Sequence, residues 1–171
     1  RLACLVALRH RATDSGPVVL VIPVQTLLER LPPVSYLDGH ALDLAVKDRF
    51  DMHTARRRLE GAGYQAAETV ASRGEFAVRG ALMDIFPMGA AAPIRIDLFD
   101  DEIESLRTFD PETQRTLERI DAIRLLPARE FPFDDAAISR FRDRWHNTFN
   151  VDVRRCRMYQ DVSQRIPSGG I

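Results

Sequence analysis

The spacing of apolar residues changes partway along the chain, and this change limits the possible folds more than any other feature. Met52, Ala55 and Leu59 recur at helical spacing and predict one amphipathic helix. From residue 75 onward the spacing falls to two, which is typical of strands with one buried face. The middle of the chain therefore predicts an α+β fold, in which helices pack on an antiparallel β-sheet.

The alternating part of the sequence contains several short extended runs separated by turn residues. We expect strands at residues 75–79, 82–86, 94–99, 103–109 and 122–126. Gly80 separates the first two runs closely enough for a hairpin, and an acidic turn separates the third from the fourth. Short connections of this kind join antiparallel neighbours.

The two flanks of this region have different patterns. Residues 18–22 are rich in β-branched side chains and predict a strand, which a helix at 26–31 would follow. This order is typical of a parallel α/β sheet, whose other strands must lie outside this chain. We therefore expect residues 1–40 to be a fragment of a host α/β domain and the chain to be a segment of a longer protein.

The carboxy-terminal flank predicts a long amphipathic helix that starts near Asp134. Its apolar residues, Ile138, Phe141, Trp145 and Phe149, recur at helical spacing. The predicted organisation has three parts: residues 1–40 from the host domain, an α+β domain at 41–127, and a helical return into the host domain at 128–171.

Charge and motif content disfavour several functions. The 24 basic and 25 acidic residues give a net charge of −1, so the chain has no overall attraction for nucleic acid or an anionic membrane. Its longest apolar run, residues 18–24, is far too short to span a bilayer. Cys4 and Cys156 form no CxxC pair, and we expect free thiols in a reducing compartment.

The sequence also lacks the usual signs of nucleotide or metal chemistry. A phosphate-binding P-loop ends in Gly-Lys-Ser/Thr, whereas Lys47, the only lysine, follows Val46. Residues 61–66 match GxGxxA, but they follow a predicted helix, and we interpret them as its C-terminal cap. The four histidines have no metal-ligand spacing. We expect no enzyme activity, no metal and no cofactor in this segment.

An alternative function is DNA contact through the last helix. Arg140, Arg142 and Arg144 cluster around Trp145, a combination that occurs on nucleic-acid-binding surfaces. The same residues also fit the solvated face of an amphipathic helix. The sequence leaves both interpretations open.

The strand at 94–99 is the most informative element for function. If its apolar alternate residues face the core, Arg95, Asp97 and Phe99 point to the opposite side, and Arg79 of an earlier strand joins them. Arginine and aromatic residues dominate protein interfaces, which favours a docking surface. The pattern equally allows Phe99 to enter a second core, with the arginines paired to nearby acids.

Several segments resemble the amino-terminal, UvrB-like module of the bacterial transcription-repair coupling factors. The similar segments are residues 23–33, 74–80, 84–87, 95–103, 108–115 and 126–132. The repair protein UvrB has a similar Arg-Gly and Ile-Phe-Pro strand pair, so the corresponding domain of UvrB is an alternative. The segments at 108–115 and 126–132 resemble the coupling factors rather than UvrB.

The resemblance implies a UvrB domain-2-like fold, inserted into a helicase-like α/β domain, that binds UvrA and has no catalytic role. It implies that Arg79, Arg95 and Phe99 contact UvrA, with Asp97 as a weaker candidate; an arginine of UvrB is replaced here by Ala77. In such cytoplasmic proteins, domains absent from this chain bind ATP, RNA polymerase and DNA. The resemblance also implies that the carboxy-terminal region of the parent protein masks the UvrA-binding face.

Overall fold

The computed structural model describes residues 1–9 and 16–166, which form two compact units. The first unit spans Arg1–Phe131 and the second begins at Pro132. The helices are α1 (Leu2–Arg9), α2 (Val24–Leu28), α3 (Val34–His40), α4 (Met52–Gly61), α5 (Asp135–Thr148) and α6 (Arg157–Ser163), with a 3-10 turn at Val153–Arg155. The strands are β1 (Leu42–Ala45), β2 (Gln65–Ala66), β3 (Glu75–Arg79), β4 (Leu82–Ile85), β5 (Ile94–Phe99), β6 (Glu102–Phe109), β7 (Thr116–Ile120) and β8 (Ala122–Leu125).

The strands of the first unit form a six-stranded sheet and a separate two-stranded sheet. The larger has the order β2-β3-β4-β5-β6-β7, and every pair from β3 to β7 is antiparallel. This confirms the α+β fold with antiparallel strands. The predicted run at 122–126 forms β8, which pairs with β1 in the smaller sheet.

Helix α4 is capped at both ends. The Asp51 side chain accepts a hydrogen bond from the Thr54 amide at 2.8 Å, which lowers the pKa of Asp51. At the other end, Tyr64 N–H donates to the Leu59 carbonyl and Gly63 N–H to the Glu60 carbonyl. This pair of bonds is a Schellman motif, so the GxGxxA match is a helix C-cap, as predicted.

One face of the larger sheet, here called the inner face, contributes to the main core. Its fully buried members are Phe76, Met83, Ile85, Ile94, Ile96, Ile103 and Leu106, which cluster with Leu59 of α4. Ile103 and Leu106 are three residues apart, so an unbroken pleat would send them to opposite faces. A register shift next to Asp97 leaves Glu104 as an extra residue in β6 and returns both side chains to the core.

The amino-terminal flank differs from the prediction in two respects. Residues 18–22 form no strand, and Val19 and Val21 are almost fully exposed. The prediction was wrong because an extended segment becomes a strand only beside another strand, and none of the described strands pairs with it. The following helix is Val24–Leu28 rather than 26–31, since Glu29 already has extended dihedral angles.

The second unit contains the predicted long helix. Helix α5 begins after Asp134, whose side chain accepts a hydrogen bond from the Ala137 amide at 2.7 Å. This capping bond confirms the predicted start of the helix. The division of the chain at residues 40 and 127 remains a prediction.

Candidate functional site

The face of the larger sheet opposite the core, here called the outer face, carries the predicted binding residues. Strand register places Arg79, Leu82, Asp97 and Ser105 in one row across the sheet. The neighbouring row contains Ala77, Asp84, Arg95 and Arg107. Two adjacent rows therefore bring together arginines and carboxylates from four strands.

Asp84 lies at the centre of this arrangement and binds two arginines. Its carboxylate accepts hydrogen bonds from Arg95 Nε at 2.7 Å and Arg95 Nη2 at 2.8 Å, which form a bidentate pair. Arg79 Nη2 donates to the same carboxylate. Asp84 is only 1% exposed, so these bonds satisfy a charge that has lost its contact with water.

Arg95 is fixed by further contacts. Its guanidinium carbon lies 4.7 Å from the centre of the Phe109 ring, within the range of a cation–π contact. Its Nη2 atom lies 3.4 Å from Gln114 Oε1, and its side chain is 17% exposed. The hydrogen bond to Asp84 raises the pKa of Arg95 above its usual value, so the cation persists at any physiological pH.

Asp97, the weaker predicted site residue, is occupied by neighbours on β6. Ser105 Oγ donates to Asp97 Oδ2 at 2.5 Å, and Arg107 Nη2 donates to the same oxygen. The Asp97 side chain is 13% exposed. Arg107 Nε is buried without a hydrogen-bond partner among the described residues, so the Asp97 contact leaves part of this cation unsatisfied.

Phe99 is exposed at the tip of the hairpin that joins β5 to β6. It pairs with Glu102 across a two-residue turn, in which Asp100 has a φ of +55°. Its side chain is 71% exposed. The alternative in which Phe99 enters a second core is therefore wrong for this structure.

A second, smaller core does exist on the outer face, but other residues form it. Val70, Ala77, Phe86 and Phe109 are buried together. Alternation in β3 places Ala77 on the outer face, where it lies, but does not indicate which residues bury it. Alternation in β3 with Phe76 in the core would also bury Val78, yet Val78 is 38% exposed. The part of the prediction that paired the arginines with nearby acids is correct.

Sequence reasoning missed Asp84 and Arg107 as members of this site. Asp84 lies in a run of apolar residues, 82–86, in which it was assigned only to a strand. Alternation gave the available signal, because Asp84 must face away from the two core residues on either side of it. Arg107 pairs with Arg95 across β5 and β6 and faces the same side of the sheet, because the extra residue Glu104 shifts the alternation in β6.

The arginines of the second unit are arranged differently. Arg142 donates to the Ser163 hydroxyl at 3.2 Å and to the Ser163 carbonyl at 2.6 Å. The Trp145 ring packs among Phe141, Phe149 and Tyr159, with centroid distances of 4.6 to 5.7 Å. Ring packing of this kind limits base stacking on Trp145, so the contacts favour a structural role for this cluster.

Among residues 1–9 and 16–166, His, Cys, Asp and Glu residues form no group of three or more that could bind a metal ion. None of the helices there is long and apolar enough to cross a membrane. The charged groups of the outer face instead form ion pairs with one another.

Comparison with known proteins identifies the family. Residues 42–131 match the UvrB interaction domain family. The chain is 50% identical over 152 residues to the transcription-repair-coupling factor of Escherichia coli (strain K12), which is 88% of this chain and 13% of that protein. It is 48% identical over 155 residues to the Haemophilus influenzae factor, 90% of this chain and 13% of that protein.

A relative with lower identity belongs to the same family. The transcription-repair-coupling factor of Bacillus subtilis is 33% identical over 121 residues, which is 71% of this chain and 10% of that protein. The chain thus spans a small part of the length of the relatives it matches. It belongs to the transcription-repair-coupling factor family and carries a UvrB interaction domain over residues 42–131.

Proposed function

We propose that this chain is a non-catalytic docking module that binds the damage-recognition protein UvrA through the outer face of its larger sheet. The observation that carries the proposal is the exposure of Phe99 beside a network of arginines and carboxylates. An exposed phenylalanine contributes little to the stability of the fold, because its ring stays in contact with water. Burial of that ring by a partner would be favourable. Membership of a family with a UvrB interaction domain supports a docking role for this chain.

Phe99 provides the apolar part of the contact. Its backbone is fixed by pairing within β5–β6 and by the tight turn after it, so binding would cost little backbone entropy. An aromatic ring that fills a pocket on a partner is a common binding hot spot. The proposal therefore places a hydrophobic pocket on UvrA opposite this hairpin.

The arginines provide the polar part of the contact. Arg79 is about half exposed, although one of its nitrogen atoms binds Asp84. Arg95 binds Asp84 through Nε and Nη2, and its Nη1 makes no hydrogen bond within residues 1–9 and 16–166. Both cations thus keep N–H groups that can pair with carboxylates of UvrA. Asp97 contributes less, since Ser105 and Arg107 already occupy it.

In the parent protein, this contact would recruit UvrA to a stalled RNA polymerase for transcription-coupled nucleotide excision repair. Other domains would bind ATP, DNA and polymerase, and the carboxy-terminal region would cover the outer face until it is needed. The resemblance to the cytoplasmic coupling factors motivates these roles. DNA contact through Arg140, Arg142 and Arg144 receives no support from the packed position of Trp145.

Calorimetric titration of the 171-residue chain into purified UvrA tests the proposal. We expect saturable binding by the wild-type chain that Arg95→Ala weakens. Arg124→Ala is the matched control, because Arg124 makes a similar bidentate pair with Asp43 in the smaller sheet, at 2.7 and 2.8 Å. Absence of binding by a folded wild-type chain, or equal losses in both variants, would contradict the proposal.

A further inference from the structure

We infer that Asp84 is a positioning residue, which fixes the guanidinium groups of Arg95 and Arg79 in the orientation that binds UvrA. The inference rests on the docking function proposed above. It gives a role in binding to a carboxylate that lies beneath the binding surface and touches no partner itself.

Burial separates Asp84 from the other acidic residues of the outer face. At 1% exposure it is the one charged residue that is buried among those the structure describes, so a partner cannot reach its carboxylate. Its only described side-chain bonds run to Arg95 and Arg79. Any effect of Asp84 on binding must therefore act through these two arginines or through folding.

The contacts around Arg95 leave one edge of its guanidinium group for a partner. The Nε and Nη2 edge faces Asp84, one face lies over the Phe109 ring, and Nη2 also approaches Gln114. Nη1 has no hydrogen-bond partner within the described part of the chain. Asp84 thus determines which N–H groups of Arg95 remain to be paired, as well as their direction.

This arrangement lowers the entropic cost of binding. A solvent-exposed arginine loses most of its rotamer freedom when it pairs with a partner, whereas Arg95 has already lost that freedom on folding. Loss of the Asp84 charge would release both arginines and would place neutral amide N–H groups against their donors. Positioning therefore predicts weaker binding when Asp84 is neutralised.

The same geometry has a competing interpretation, which predicts the opposite effect of Asp84 neutralisation on binding. If Asp84 acted as an internal competitor, it would withhold the arginines from UvrA, and its neutralisation would strengthen binding. We favour positioning because the bidentate bond uses one edge of Arg95 and leaves Nη1, and because Arg79 stays about half exposed while it is bound.

Titration of UvrA with Asp84→Asn tests the inference. We expect the Kd to rise about tenfold or more, the size of a hot-spot loss. The same substitution in an Arg95→Ala background should raise the Kd by about threefold or less, because only Arg79 then remains to be positioned. Asp43→Asn, which removes the carboxylate from the similar pair with Arg124, should leave the Kd unchanged.

A second variant covers the case in which Asp84→Asn fails to fold, as judged by circular dichroism. Arg95→Lys keeps the positive charge next to Asp84 but removes the bidentate fork and the outward N–H groups. We expect it to lose most of the affinity that Arg95→Ala loses, while Arg124→Lys binds like the wild type.

The outcomes separate this inference from the docking function. Wild-type affinity or tighter binding by folded Asp84→Asn, or wild-type affinity by Arg95→Lys, would overturn the positioning role while binding itself remains. An equal loss from Asp84→Asn in the wild-type and Arg95→Ala backgrounds would also overturn it, since the effect of Asp84 would then not depend on Arg95. A wild-type chain that does not bind UvrA would instead overturn the proposed function.

Discussion

The Tyr64 hydroxyl donates a hydrogen bond to the Leu126 carbonyl at 2.6 Å and accepts one from the Met88 amide at 3.3 Å. These two bonds connect the end of helix α4 to the segments that follow β4 and β8. Tyr64 is almost fully buried, and burial raises its pKa to about 12. The hydroxyl is therefore a neutral, fully used hydrogen-bonding group inside the first unit.

Replacement of Tyr64 by phenylalanine should destabilise the protein by about 1–3 kcal/mol at neutral pH, because the buried Leu126 carbonyl and the partly buried Met88 amide lose their partner. Chemical denaturation of wild type and Tyr64→Phe, followed by circular dichroism, measures the difference. A change of less than a few tenths of a kcal/mol would contradict the structural role of the hydroxyl.

The same residue predicts a dependence of stability on alkaline pH. Its pKa is higher in the folded state than the 10.0 of a free tyrosine, so its contribution is complete below about pH 10 and is lost as the pH rises towards 12. The shift corresponds to a loss on the order of 2–3 kcal/mol across that interval. The free energy of unfolding of Tyr64→Phe should decline less steeply with pH than that of wild type. Parallel pH dependences of the two proteins would show that Tyr64 ionisation is not the cause of the decline.

Gly63 makes a prediction about the end of helix α4. Its φ is +94°, and a Cβ atom there would lie 2.5 Å from Cγ of Arg129. Gly63→Ala should therefore destabilise the protein by about 1–3 kcal/mol through backbone strain and steric overlap. Gly61→Ala is the matched control, because a Cβ at that position meets no atom within 4 Å and the φ is not positive.

The denaturation midpoints of the two glycine variants give the answer directly. Gly61→Ala should be neutral or slightly stabilising, since alanine favours helix more than glycine does. Equal stability of Gly63→Ala and wild type would show that this position does not require glycine.

The association rate with UvrA should depend on salt. Arg79 is about half exposed and would pair with carboxylates, and screening of such charges slows the encounter of oppositely charged surfaces. We expect the rate in stopped-flow mixing to fall as ionic strength rises, and the fall to be smaller for Arg79→Ala. A rate that is independent of salt for both proteins would argue against the arginines as partners of acidic groups.

Local patterns predicted the elements whose two faces differ most. Met52, Ala55 and Leu59 predicted helix α4, and alternation in residues 94–99 predicted which residues face away from the core. Residues 61–66 also marked where the helix ends, and Gly63 forms that cap. Each of these features depends on residues close in sequence, so the sequence alone was sufficient.

Features that depend on distant or absent neighbours could not be predicted in this way. The run that forms β8 was predicted, but its pairing with the short strand β1, at the other end of the domain in sequence, was not. The extra residue Glu104, which returns Ile103 to the core, breaks the alternation that the prediction used. Residues 18–22 have the composition of a strand but lack one to pair with among the described residues.

The candidate site was predictable to a similar extent. Alternation was enough to expect Phe99 and the two arginines away from the core. The bonds between those arginines and Asp84 depend on register between β3, β4 and β5, which the sequence does not specify.

The central claim is that Phe99 anchors UvrA on the outer face, and calorimetric titration of UvrA with Phe99→Ala tests it most directly. Because the side chain is exposed, the variant should keep the wild-type circular dichroism spectrum and yet lose about 2 kcal/mol or more of binding free energy. Leu28→Ala, which truncates an exposed apolar side chain of α2 outside the sheet, should bind like wild type. Wild-type affinity in folded Phe99→Ala would contradict the account.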